Sequence, residues 1–125
     1  MTAKAKMQMR YLAVVLAAAL VPAAGCHSYH IDTIVENRTG AAIQLLEVDY
    51  PSASFGANTL PAGESYRSQI QLRGNGPLKV QFTAIDGRQI QIEGPALAER
   101  QEGRLHIVLL PEGKAEFHPE LTPGP

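Results

Sequence analysis

A chain of 125 residues with 11 Lys and Arg against 12 Asp and Glu, net −1, has room for one domain. It has no basic run or stripe, which excludes a nucleic-acid partner. Its single cysteine excludes an intrachain disulfide.

Met1–Arg10 holds Lys4, Lys6 and Arg10 and no acid, and an apolar run follows from Tyr11 to Val21. Eleven residues of helix do not cross roughly 30 Å of hydrocarbon. A basic start, a short apolar core and then small residues predict a secretory signal, a helix removed on export, over residues 1–25. A buried N-terminal helix is the competing reading, and Pro22 with the small residues after it argues against that. Removing the segment leaves 8 basic residues against 12 acidic ones, net −4, an ordinary basis for solubility.

Ala23-Ala24-Gly25-Cys26 resembles the lipobox of bacterial lipoproteins, although the position three before the cysteine, most often Leu in that family, is Ala23 here. The resemblance implies a diacylglyceryl-modified Cys26 with several acyl chains, and more than one chain gives stable anchoring. Cleavage near Ala23 or Ala24 that leaves a free thiol is the alternative. His27, where inner-membrane lipoproteins carry Asp, leans toward an outer membrane if two membranes are present. Residues 26–30 are then a lipidated tether.

From residue 31 the apolar positions repeat every second residue, the period of strands. Ile31, Thr33 and Val35 alternate with Asp32, Ile34 and Glu36. Asn37 to Gly40 is a turn, and Ala42 to Val48 is a second strand, apolar on both faces at Leu45-Leu46. Tyr50 to Pro61 is rich in turn formers and reads as a loop or broken edge strand. Tyr66, Ser68, Ile70 and Leu72 face one side, with Arg67, Gln69, Gln71 and Arg73 opposite. Leu78, Val80, Phe82 and Ala84 repeat the pattern. Asp86-Gly87 predicts a two-residue hairpin turn into Gln89–Glu93. Gly94–Gly103 is a connection with room for one helical turn at 96–100, and Arg104–Leu110 is the last expected strand. Residues 111–125 hold four prolines and are expected to be a flexible tail.

Six or seven short strands at this spacing predict a single small all-β domain over residues 31–110, an antiparallel β-sandwich. Val35 to Gly40 with Leu60 to Ser65 resembles a strand–turn module of exported bacterial Ig-like domains. Val48-Asp49-Tyr50-Pro51, Phe55-Gly56 and Gly76 to Thr83 are similar to small, uncharacterised bacterial lipoproteins. The resemblance implies an Ig-like fold and brings no catalytic residues with it.

No residue set predicts catalysis or a cofactor. Of the four histidines, His27 and His30 lie on the tether, His106 faces outward and His118 falls in the expected tail. A zinc site needs three or four ligands held in place, so no metal is expected. Serines occur without a Gly-x-Ser-x-Gly elbow. Glu47 and Asp49 share a strand face, where paired carboxylates usually mark a solvated surface. Asn37-Arg38-Thr39 matches a glycosylation sequon and is read as a turn. The candidate binding feature is the Tyr50–Leu60 loop with Tyr50 and Phe55, whose rings either meet a ligand or cap the core. The expected function is a non-catalytic, membrane-anchored envelope lipoprotein that binds another envelope protein or a glycan. The rival is a cryptic envelope hydrolase or metal-binding enzyme. A pocket with converging polar groups would favour the rival; a filled core with an open strand edge would favour a binding module.

Overall fold

A computed structural model describes residues 27–123; the expected signal segment and Cys26 lie outside them. The described chain forms eight strands: β1 (Ile31–Asn37), β2 (Ile43–Tyr50), β3 (Ala53–Leu60), β4 (Ser65–Ile70), β5 (Gly76–Thr83), β6 (Gln89–Leu97), β7 (Gly103–Leu110) and β8 (Lys114–Leu121). They make two four-stranded sheets, β4-β1-β7-β8 and β3-β2-β5-β6. The sheets pack face to face as a β-sandwich around one core. Ile31, Val35, Leu105, Ile107 and Leu109 come from the first sheet, and Ile43, Leu46, Val48, Leu78, Val80 and Phe82 from the second. Each such side chain contributes roughly 1.5–3 kcal/mol by leaving water, and the period of two puts them on the inner faces.

The structure corrects the sequence reading in several places. The sandwich has eight strands rather than six or seven, and β1 runs parallel to β7, so the pairing is not wholly antiparallel. Residues 114–121 are a strand, not a flexible tail. β8 pairs with β7 along its whole length and packs Ala115, Phe117 and Leu121 against the core. Its Pro119 is tolerated because β8 is an edge, where one side needs no backbone donor. At 96–100 there is no helical turn: Ala96 and Leu97 complete β6, and the Gln101 N–H returns to the Ala98 carbonyl.

Asp86-Gly87 does turn the chain, through three residues rather than two. The Gly87 N–H donates to the Ala84 carbonyl (2.9 Å) and the Ala84 N–H to the Arg88 carbonyl (2.8 Å). Ile85-Asp86-Gly87 therefore forms the loop, with Gly87 at φ +88°, as in three-residue hairpins that end on a left-handed glycine. Arg88 donates to Asp86 from its backbone N–H (3.1 Å) and guanidinium (2.7 Å). These bonds hold the Asp86 carboxyl below its ordinary pKa.

At the same end of the sandwich, Asn37 is wholly buried and joins two turns. Its side-chain amide donates to the carbonyls of Ala41, Leu60 and Pro61, while its oxygen accepts from the Thr39 N–H and hydroxyl. The sequon is thus a structural turn with its asparagine consumed by the fold. This knot ties the turn after β1 to the turn after β3.

Candidate functional site

Tyr50 ends β2 and Phe55 lies on β3, opposite Val48. Of the two readings of this segment, loop or broken edge strand, the structure has the edge strand, unbroken from Ala53 to Leu60. Phe55 stacks on Tyr66 of β4 (centroids 6.0 Å apart, rings 18° from parallel), and Tyr50 lies 6.4 Å from Phe55. All three rings are half-buried against the core. They close the gap where β3 of one sheet faces β4 of the other, which accounts for them as a core cap.

Edge β3 itself has a property that the side-chain pattern did not reveal. Its eight residues, Ala53–Leu60, contain no charge and no proline. Ala53, Ser54, Gly56, Asn58 and Thr59 are exposed. A row of unpaired backbone N–H and C=O groups on an uncharged edge is a template for another strand. Beside it, a shallow groove on the outer face is lined by Leu45, Glu47, Ser54, Gly56 and Asn58. Leu45 stands there 64% exposed. A register shift between β2 and β5 leaves Leu45 as the extra residue of a bulge at φ +52°, turned to solvent. The same bulge brings the Leu46 carbonyl so close to Gly56 that a Cβ there would collide with it.

The outer face of the β3-β2-β5-β6 sheet is polar. Gln81 donates to Glu47, and Gln91 to Gln81 at 3.2 Å, a ladder across β2, β5 and β6. Asp49, on the same face, is held above its ordinary carboxylate pKa. Burial is the first cause, then the hydrogen bond and charge of Glu47, with Lys79 opposing. Glu47 and Asp49 do meet, as their spacing allows, on an open strand face and not in a cleft.

On the other sheet the outer face forms rows set by register: Gln69–Asp32–Arg104–Glu120, Arg67–Ile34–His106–His118 and Ser65–Glu36–Val108–Glu116. An open groove over Ile34 is walled by Arg67 and Arg104. His118, expected in a tail, is on β8 directly opposite His106. Among the described residues no three His, Cys, Asp or Glu side chains form a ready metal centre. His27 meets Glu102 and packs edge-on against Tyr29. The Gly103 N–H donates to the His30 carbonyl (3.3 Å). Residues 27–30 therefore enter at the end of the sandwich that carries the β2–β3 turn.

No protein-family model matches the chain, and no curated protein matches it significantly. Among solved structures it is similar to one described as the NMR structure of the protein from Eubacterium rectale. The TM-score is 0.53 at 15% identity, over 73% of this chain and 88% of that one. At that identity the likeness speaks to the fold alone.

Proposed function

We propose that this chain is a non-catalytic, lipid-anchored envelope module whose β3 edge receives an extended segment of another envelope protein. The observation that carries the reading is the uncharged, proline-free edge beside the exposed Leu45. Main-chain hydrogen bonds to such an edge supply affinity, and alternate side chains of the incoming strand supply specificity. Leu45 and the groove beside it suit an apolar side chain of that strand. A glycan is the weaker candidate, because Tyr50, Phe55 and Tyr66 spend their faces on one another and on the core.

The anchor in this reading is Cys26, lipidated on its thiol before residues 1–25 are removed. The domain is of the Ig-like kind, and the outer membrane is the preferred location where two membranes exist. The tether joins the end at which β3 begins, so the β3 edge runs away from the membrane surface toward the Asn37 knot. The filled core and the open, shallow grooves support a binding module over an enzyme.

The reading is tested in two steps. Cys26→Ser is expected to move the protein from the membrane to the soluble exported fraction and to abolish acyl labelling. Ser54→Lys with Asn58→Lys places charges on the edge without touching the core. In the full-length, acylated protein it is expected to remove whatever co-purifies with the wild type. If the charged edge retains every wild-type partner, β3 is not the interface.

A further inference from the structure

The geometry points to a divalent transition-metal site on the outer face of the first sheet, formed by His106 and His118, and we infer that it takes Cu2+ or Zn2+. The two residues are direct cross-strand partners on β7 and β8. Their neighbours Ile107 and Phe117, also paired, point into the core, so both imidazoles share the outer face. The ring centroids are 6.2 Å apart and the planes 55° from parallel. Two neighbouring imidazoles on one ion, with metal–nitrogen bonds of about 2.0–2.1 Å, have centroids roughly 5 Å apart around tetrahedral Zn2+ and roughly 4.5 Å apart around tetragonal Cu2+. Small side-chain rotations close the difference.

Each imidazole also has a carboxylate behind it. Glu116 lies 3.1 Å from His118 Nε2, and Glu36, on the far side of β7, has Oε1 3.8 Å from His106 Nε2. Metal-binding histidines commonly donate their second ring N–H to a carboxylate, which fixes the tautomer and raises the basicity of the ligating nitrogen. With Nε2–H turned toward Glu36 and Glu116, Nδ1 is the lone-pair nitrogen on both rings. His106 Nε2 is shut off from solvent and has no hydrogen-bond partner, an unusual state for a buried polar atom. Drawing Glu36 onto it as the rings close would satisfy that atom. Glu36 is meanwhile also ion-paired with Arg38. Two nitrogens with water in the remaining positions make an open, exchangeable site, unlike the closed four-ligand sites that hold structural zinc. Imidazole donors select late transition metals over calcium or magnesium.

The test uses the full-length protein in detergent, stripped of metal and titrated with Cu2+ or with Zn2+ alone. Expected are one equivalent bound by calorimetry and a Cu2+ electron paramagnetic resonance signal split by two nitrogens. His106→Gln and His118→Gln are each expected to weaken binding at least tenfold and to remove one nitrogen from the signal. Glu116→Gln is expected to weaken it several-fold while leaving two nitrogens. His27→Gln with His30→Gln is expected to change neither readout. Both imidazoles stand on an outer face, and unchanged circular dichroism and melting show that the variants fold. Absence of binding, binding indifferent to His106→Gln and His118→Gln, or equal loss in the tether variant would each overturn the site.

Discussion

The two long sides of the sandwich are built differently. On one side β6 and β8 face each other, and both carry the marks of protected edges: Glu93 and Pro95 on β6, and Lys114, Glu116, Pro119 and Glu120 on β8. Charge and proline on an edge discourage a further strand from adding. On the other side β3 meets β4, and β3 has neither. Both sides are sealed internally by aromatic rings, Phe117 against Gly94 on one and Phe55 against Tyr66 on the other. The difference therefore lies in what is shown to solvent and not in how the core is closed. An edge left unguarded while its opposite is guarded twice marks the side on which pairing is tolerated.

The glycines of the two sides break this comparison most sharply. Gly56→Ala drives a Cβ into the Leu46 carbonyl, a backbone group fixed by the bulge. It is expected to cost about 3 kcal/mol or more in urea unfolding, at the upper end of single-substitution effects. Gly94→Ala brings a Cβ to 2.8 Å from the Phe117 ring. An edge side chain can turn aside, so a loss of about 1 kcal/mol is expected. Equal costs would mean that β3 adapts as readily as β8.

Phe55→Ala comes next. Full burial of a phenylalanine is worth about 3–5 kcal/mol on truncation, and half-burial of this ring scales the expected loss to about 2 kcal/mol. An unchanged melting temperature together with loss of a bound partner would return Phe55 to the role of a recognition residue.

Much of this fold was legible because a half-buried strand writes its period into the sequence. Ile31, Thr33 and Val35 are inward, as alternation requires, and so are Leu78, Val80 and Phe82. β8 is hidden because its inward positions Ala115, Phe117 and Leu121 give a weak apolar signal, and its one proline, Pro119, reads as a breaker when it marks an edge. The bulge at Leu45 was hidden because an extra residue shifts the period without changing composition. The sites were less legible still. Edge status depends on strand order, and the opposition of His106 and His118 depends on the β7–β8 register. Neither is a local property of the chain.

Two smaller effects sharpen the account. Ser54→Lys with Asn58→Lys alters exposed positions only, and its unfolding free energy is expected within about 0.5 kcal/mol of wild type. A larger loss would show that β3 owes stability to those side chains and would blur any binding result. Asp49 has a folded-state pKa raised above 3.8, so just above that value the native state holds more protons than the unfolded one. Stability contributed by this group is present at low pH and falls as pH rises through the raised value. Asp49→Asn is expected to flatten that slope, by no more than about half a kcal/mol because solvent screens the site. A pH–stability curve of the two proteins checks it.

Site-resolved cross-linking in intact cells tests the β3 edge most directly. A photoreactive side chain is placed in the full-length protein at Ser54 or Asn58 on β3, and in parallel at Gln91 or Glu93 on β6. Adducts of one discrete mass from both β3 positions, absent from both β6 positions, are the expected result. Adducts of equal yield from the two edges, none from β3, or adducts consisting only of a second copy of this chain would contradict a partner strand on the unguarded side.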